Sequence, residues 1–116
     1  MARLRLYHNP NCSKSRGALE ILRKRGTEFD VVEYLKEPLD RETLARLAEL
    51  LPGPPEELVR KDRNFERLDL DPNGYETVEA VIELLLEHPE LMQRPILVAG
   101  DRTLICRPSE KVLELL

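Results

Sequence analysis

The stretch that spans residues 3–34 reads RLRLYHNPNCSKSRGALEILRKRGTEFDVVEY, and it contains the signals of a strand, a helix and a second strand. Alternating apolar and polar residues predict a short strand over residues 3–7. A helix is predicted from residue 12 or 13 to residue 25, with Gly26 as the residue that ends it. Residues 29–34 are the second predicted strand. Because a strand–helix–strand unit of this length almost always forms a right-handed crossover, we expect the two strands to be parallel.

The apolar pattern changes to helical spacing in the middle of the chain, from about residue 39 to about residue 88. Asp40 is the predicted N-cap of the first helix in this segment. A short helix is predicted over residues 55–61, and a last one ends at His88, before Pro89. The apolar stripe of this last helix is predicted to consist of Val78, Val81, Ile82, Leu85 and Leu86. The segment is therefore predicted to be a helical insertion.

The C-terminal part of the chain predicts two strands and a helix. Residues 95–99 and 103–106 flank Gly100-Asp101, which predicts a β-hairpin. The closing helix is predicted over residues 109–116, with Ser109 as its N-cap. The order β-α-β, helical insertion, β-β-α is similar to that of a thioredoxin-like α/β fold with a mixed four-stranded sheet. We expect residues 1–116 to form one such domain.

Composition and charge exclude several classes of protein. With 116 residues, 41% of them hydrophobic, the chain is long enough for one packed core and too apolar to be disordered. No apolar run approaches the roughly 18 residues of a membrane span, and the N-terminus does not resemble a signal peptide. The net charge of −4 argues against nucleic acid as the main partner. We therefore expect a cytoplasmic protein that binds neither nucleic acid nor a membrane.

Cys12 is the most informative candidate for chemistry. It lies at the junction of the first strand and the first helix, where backbone N–H groups lack intrahelical partners. Such a helix terminus binds anions and stabilises a thiolate. His8, Lys14 and Arg16 would act in the same direction. A nucleophilic Cys12 is therefore favoured over a merely structural one.

The residues after Cys12 exclude other cysteine chemistries. Ser15 occupies the position of the second cysteine in a Cys-x-x-Cys motif, so an oxidised Cys12 needs a thiol from another molecule. Tyrosine-phosphatase loops have an arginine six residues after the cysteine, where this chain has Ala18. No phosphate-loop motif and no zinc-ligand spacing is present. Cys106 is predicted to be a small strand residue rather than a resolving thiol.

Three arginines are candidate ligands for an oxyanion. Arg94 and Arg107 each precede a proline, and Arg60 lies near the end of a short predicted helix. The guanidinium group stays charged and binds oxyanions through two parallel hydrogen bonds. Each arginine alone could equally be a solvated surface charge, so only their convergence on Cys12 would make a site.

These motifs resemble those of the glutaredoxin-coupled arsenate reductase family, in particular its short members. The resemblance covers nearly the whole chain. It is carried by residues 7–16 and by Leu58-Val59-Arg60-Lys61, Arg94-Pro95-Ile96 and Cys106-Arg107-Pro108-Ser109-Glu110. In thioredoxin-like folds, a cis-proline at the place of Pro95 faces the active-site cysteine, so the resemblance puts Arg94 beside Cys12.

The resemblance also implies a role for each site residue. Cys12 corresponds to the nucleophile, and His8 corresponds to a histidine that assists the thiolate. Arg60, Arg94 and Arg107 correspond to the oxyanion-binding arginines, with Lys61 or Arg63 as alternatives to Arg60. The residues predicted to support the cysteine loop are Asn9, Ser15 and Pro95.

The implied reaction is the reduction of arsenate, or of a similar oxyanion, to arsenite through an adduct between Cys12 and arsenic. Glutathione would be the co-substrate, glutaredoxin would restore the thiol, and no metal or bound cofactor would be needed. Two alternatives stay open. One is an Spx-type transcriptional regulator that binds RNA polymerase, and the other is a general glutathione-dependent thiol oxidoreductase.

Overall fold

The N-terminal half of the sheet is a parallel strand pair joined by a helix. The structure, a computed structural model, describes residues 4–116, so the predicted strand start at Arg3 lies outside the described residues. Strand β1 (Leu4–His8) is followed by helix α1 (Ser13–Lys24) and strand β2 (Phe29–Glu33). The two strands are parallel, with Leu4 opposite Phe29 and His8 opposite Glu33. Gly26 follows α1 with a φ of 67°, a conformation that suits glycine at a helix end.

Strands β3 (Ile96–Ala99) and β4 (Arg102–Ile105) complete the sheet. The strand order is β2-β1-β3-β4; β3 is antiparallel to both of its neighbours. Gly100 has a φ of 64° at the first position of the hairpin turn, where glycine is favoured. The sheet is mixed and four-stranded, which confirms the predicted fold class. Strand β3 begins one residue later than predicted and ends at the predicted residue, and β4 lies one residue earlier than predicted.

The closing helix differs from the prediction. Ser109–Leu115 is a 3-10 helix whose N-cap is Pro108, so the predicted N-cap role of Ser109 is wrong. The Ser109 hydroxyl instead donates to the Lys14 carbonyl oxygen in α1, at 2.7 Å. Gly17 allows this contact, because a Cβ atom there would lie 2.7 Å from Ser109 Oγ. The Ser109 side chain thus makes a tertiary hydrogen bond and does not cap its own helix.

The chain divides into two compact units. One consists of the residues up to Glu37 together with Arg94–Leu116 and holds the sheet, and the other is Pro38–Gln93. The core of the sheet unit lies between α1, the strands and the closing helix. Its buried members are Leu4, Leu6, Ala18, Leu22, Leu97, Cys106 and Val112.

The unit Pro38–Gln93 is helical and contains the whole predicted insertion, while a single domain over residues 1–116 stays a prediction. Its α-helices are α2 (Arg41–Leu50), α3 (Arg63–Arg67) and α4 (Val78–Glu87), and its 3-10 helices are Pro55–Leu58 and Pro89–Leu91. Asp40 caps α2 by accepting from the Thr43 N–H at 2.8 Å, as predicted. None of the helices that the structure describes is long and apolar enough to cross a bilayer.

Two predictions in the helical unit are wrong in detail. The helix predicted over residues 55–61 ends at Leu58, because Val59 is extended and pairs with Met92. Helix α3 begins after Asp62, whose carboxylate accepts from two backbone N–H groups. The sequence pattern did not predict this helix. In α4, Leu84 is buried and Leu86 is 37% exposed, so the buried face of the helix is rotated relative to the predicted stripe.

Candidate active site

The loop between β1 and α1 is closed by its own hydrogen bonds. The Asn9 carbonyl oxygen accepts from the Cys12 N–H at 3.0 Å, and Asn9 Oδ1 accepts from the Asn11 N–H at 3.0 Å. Arg16 Nη1 donates to the Pro10 carbonyl oxygen at 2.9 Å. These bonds hold Cys12 at the N-cap of α1, with its side chain half-buried. The sulfur therefore faces the N-terminal N–H groups of the helix.

The environment of Cys12 favours the thiolate. Burial alone would raise the pKa of Cys12, but the backbone N–H groups of Ser15 and Lys14 donate to the sulfur and lower it. The side chains of Arg94 and Arg107 lower it further, to a pKa of about 7. A thiol with this pKa is about half ionised at neutral pH, and the thiolate is the nucleophilic form.

Arg94 and Arg107 converge on the sulfur from the two ends of the hairpin. Arg107 Nη1 lies 3.8 Å from Cys12 Sγ and donates to the Arg94 carbonyl oxygen at 3.0 Å. Both arginines precede a proline in a cis peptide bond, and the Cys106 N–H donates to the Pro95 carbonyl oxygen at 2.9 Å. The beginning of β3 and the end of β4 thus lie side by side, next to the cysteine loop. Two of the three predicted arginines are brought together with Cys12.

His8 contacts Ser15. Its Nδ1 lies 2.7 Å from Ser15 Oγ, which also accepts from the Asn9 N–H at 3.0 Å. His8 is buried, and this burial lowers the pKa of its imidazole, although Glu33 and Ser15 act in the opposite direction. The structure therefore connects His8 to the first turn of α1 through the Ser15 hydroxyl. Asn9 and Ser15 make the loop hydrogen bonds expected of supporting residues.

Arg60 lies in the helical unit, directly after the extended residue Val59. Its N–H donates to the Leu91 carbonyl oxygen at 2.7 Å, and its Nε lies 3.2 Å from Asp62 Oδ2. The Arg60 Nη1 is buried and has no hydrogen-bond partner within residues 4–116. Of the alternatives, Lys61 is exposed and pairs with Glu56 at 3.8 Å, and Arg63 is exposed at the start of α3. Arg60 thus has a donor still available to a ligand.

Cys106 was predicted to be a small strand residue, but it directly follows the end of β4 and lies in the core. Its side chain is fully buried in the sheet unit, and this burial raises the pKa of its thiol to about 12. The thiol contacts the Leu104 carbonyl oxygen at 3.6 Å. A thiol of this kind is protonated at every physiological pH and does not react readily.

Tyr34 is a residue near the site that the sequence interpretation did not single out. It follows β2 directly and is 1% exposed. Burial raises the pKa of its phenol, while Arg94 and Asn9 lower it and Cys12 raises it. The phenol therefore lies in the immediate surroundings of the sulfur and of one arginine. Its signal in the sequence is its position at the carboxyl end of the second parallel strand.

The comparisons with known proteins agree with this geometry. Residues 7–115 match the ArsC family. The chain is 39% identical, over all of its length and 82% of the relative's, to a protein of Escherichia coli K12 named arsenate reductase. It is 41% identical, over 97% of its length and 95% of the relative's, to the uncharacterized protein YfgD of the same organism.

Solved structures give the same result. The chain superposes on the structure titled arsenate reductase from Vibrio cholerae with a TM-score of 0.88 and 33% identity. The match covers 99% of this chain and 98% of that one. No group of three or more His, Cys, Asp or Glu side chains within the described part of the chain is arranged to hold a metal ion.

Proposed function

The chain belongs to the ArsC family, and we propose that it is an oxidoreductase that reduces arsenate to arsenite. The observation that carries the proposal is the position of the Cys12 sulfur, which has a pKa of about 7 and lies 3.8 Å from Arg107 Nη1. Cationic donors beside a thiolate suit a substrate that is itself an oxyanion, because they bind its oxygens while the sulfur attacks its centre. The names of the curated relatives support arsenate as this substrate.

The first step is a displacement at arsenic. The Cys12 thiolate attacks the arsenic atom, a sulfur–arsenic bond forms, and one arsenic–oxygen bond breaks. The departing oxygen takes up protons from solution and leaves as water, so arsenic stays pentavalent in the adduct. Arg94 and Arg107 hold the remaining oxygens and neutralise their charge, which would otherwise repel the thiolate.

The second step transfers two electrons to arsenic. A glutathione thiolate attacks the Cys12 sulfur, a disulfide forms between glutathione and Cys12, and the sulfur–arsenic bonding pair leaves with arsenite. Glutaredoxin then attacks the glutathione sulfur and releases the Cys12 thiolate. Ser15 at the second motif position and the buried Cys106 both support a thiol supplied by another molecule. Such recycling suits the reducing cytoplasm.

The remaining site residues have supporting roles in this proposal. Arg60 is the third oxyanion ligand, supported by its Nη1, which has no hydrogen-bond partner within residues 4–116, and by the exposure of Lys61 and Arg63. His8 assists the thiolate indirectly, because its hydrogen bond orients the Ser15 hydroxyl in the first turn of α1. Pro95 adjoins Arg94 and directly precedes β3.

The test is an NADPH-coupled assay with arsenate, glutathione, glutaredoxin and glutathione reductase. We expect turnover that stops when glutathione or glutaredoxin is omitted, and Cys12→Ser should lower the turnover by at least about 1,000-fold, because the activated thiolate is gone. Cys106→Ala is the matched control and should keep its turnover. Arsenate reduction by Cys12→Ser at the wild-type rate would contradict the proposal.

The same assay separates the two alternatives. A general thiol oxidoreductase should reduce glutathione mixed disulfides faster than arsenate and should be insensitive to Arg94→Ala. A transcriptional regulator should retain RNA polymerase from cell extract and show no arsenate turnover.

A further inference from the structure

The Tyr34 hydroxyl is a buried polar group without a satisfied hydrogen bond. The residue is 1% exposed, and its Oη has no hydrogen-bond partner among the residues that the structure describes. Buried hydroxyl groups in folded proteins nearly always have a partner, so an exception requires an explanation. A ligand that brings its own acceptor is one such explanation.

The position of Tyr34 in the sheet puts this hydroxyl at the active-site end of the strands. His8 is opposite Glu33 at the end of the parallel pair, Asn9 and Tyr34 are the next residues of the two chain segments, and the Asn9 side chain acts on the Tyr34 phenol. Ligands of open α/β sheets bind at the carboxyl ends of the parallel strands. The side chains of Arg94 and Asn9 lower the pKa of the phenol and Cys12 raises it, so all three lie near the phenol, which agrees with this placement.

The neighbours of the hydroxyl explain why its proton lacks an acceptor. Arg94 carries only hydrogen-bond donors on its guanidinium group. The Oδ1 of Asn9 accepts from the Asn11 N–H at 3.0 Å, and no hydrogen bond joins it to the Tyr34 hydroxyl within residues 4–116. Burial raises the pKa of the phenol, so it stays protonated and remains a donor at physiological pH. A protonated donor beside a cationic guanidinium suits an anionic oxygen as its partner.

We propose that the Tyr34 hydroxyl donates a hydrogen bond to an oxygen of the bound tetrahedral oxyanion, next to the oxygens that Arg94 holds. The inference rests on the proposed function, since it assigns one more donor to the same site. Tyr34 is then a substrate-binding residue that helps to select a tetrahedral anion. It adds no charge and leaves the ionisation of Cys12 unchanged.

The experiment measures anion binding without turnover. Arsenate, phosphate or sulfate in the site should slow the alkylation of Cys12 by iodoacetamide, and the concentration dependence gives the affinity of each anion. Removing one hydrogen bond to a charged group weakens binding by about 10-fold or more. We therefore expect Tyr34→Phe to require about 10-fold more arsenate for the same protection, with an unchanged alkylation rate in the absence of anion.

Tyr75→Phe is the matched control. Tyr75 packs its ring edge-to-face on Phe65 in the helical unit, at 5.9 Å between centroids, so this variant also loses a phenol hydroxyl and keeps the ring. Its protection constants should equal those of the wild type. Melting temperatures of both variants establish that they are folded.

Three outcomes would overturn the inference. One is equal protection of wild type and Tyr34→Phe by arsenate, and another is no protection of the wild type by any tetrahedral anion. The third is a raised pKa of Cys12 in Tyr34→Phe, measured by thiolate absorbance, together with an unchanged anion affinity. The hydroxyl would then stabilise the Cys12 thiolate and not the bound anion. Anion protection without arsenate turnover would contradict the proposed function and leave the role of Tyr34 standing.

Discussion

The two cysteines of this chain have the same side chain and opposite chemistry. Cys12 lies at a helix N-terminus beside two arginines, and its pKa is lowered to about 7. Cys106 lies in the core of the same unit among aliphatic side chains, and its pKa is raised to about 12. Burial raises the pKa in both places, so the difference comes from the donors that surround Cys12. Reactivity in this fold is thus a property of the loop that holds the sulfur.

The largest expected difference between the two regions is in alkylation. At pH 7 a thiol of pKa 7 is about half thiolate, whereas a thiol of pKa 12 is about one part in 10⁵ thiolate, and only the thiolate reacts. We expect iodoacetamide to modify Cys12 at least about 1,000-fold faster than Cys106, as measured by peptide mass spectrometry over time. Comparable alkylation rates for the two residues in the folded protein would contradict the difference between their pKa values.

The next largest effect is expected from removing Arg107, one of the donors beside the Cys12 sulfur. Arg107→Gln removes a positive charge 3.8 Å from Cys12 Sγ, so the pKa of Cys12 should rise toward that of an ordinary thiol. The loss of an oxyanion donor should also lower kcat/KM for arsenate by about 100-fold or more. Arg107→Lys should restore the pKa and only part of the turnover, because lysine lacks the planar fork.

Thiolate absorbance between pH 5 and 10 measures this change. Lys111→Gln is the control, since it removes a positive charge from the closing helix near Cys106. It should leave the titration of Cys12 unchanged. A titration of Arg107→Gln that coincides with the wild type would show that the arginine does not act on the sulfur.

The smallest expected effect is on stability, and the two cysteines have opposite signs. The pKa of Cys12 is lower in the folded state than the ~8.5 of a free thiol. Its stabilisation is therefore complete above about pH 8.5 and is lost as the pH falls through about 7. The pKa of Cys106 is higher when folded, so its contribution is complete below about pH 8.5 and is lost as the pH rises toward 12.

Urea unfolding of Cys12→Ser and Cys106→Ala at pH 6, 8 and 10 measures these signs. Relative to wild type, Cys12→Ser should be least destabilised at pH 6, and Cys106→Ala should be least destabilised at pH 10. A reversed trend for either variant would contradict the direction of the pKa shift that we assign to that cysteine.

Local patterns were sufficient to predict the strands, the first helix and the position of the cysteine loop. The β1-α1-β2 unit, the Gly26 terminator and the hairpin all depend on residues that are close in sequence. The approach of Arg94 and Arg107 to Cys12 was predicted through a family resemblance, because spacing alone contains no information about distant parts of the chain. The Asp40 cap was predicted for the same local reason as the strands.

The features that could not be predicted depend on contacts between distant residues. The helix after Pro55 is short because Val59 pairs with Met92, which is far away in sequence. The Ser109 hydroxyl donates a hydrogen bond to the Lys14 carbonyl oxygen in helix α1 instead of capping its own helix. Tyr34 could be assigned to the site only after the fold had brought its phenol near Arg94, Asn9 and Cys12. In each case a tertiary partner decides between local alternatives of similar energy.

The hydrogen bond between Ser109 and Lys14 has a consequence for the synthesis of the protein. The Lys14 N–H donates to the Cys12 sulfur, and its carbonyl oxygen accepts from Ser109, while Arg107 also reaches the sulfur from late in the sequence. A ribosome-bound chain that has not yet exposed residues 107–109 lacks both contacts. Its Cys12 lacks the donor that Arg107 supplies, so the sulfur of the nascent polypeptide reaches its full reactivity only after residues 107–109 have left the ribosome.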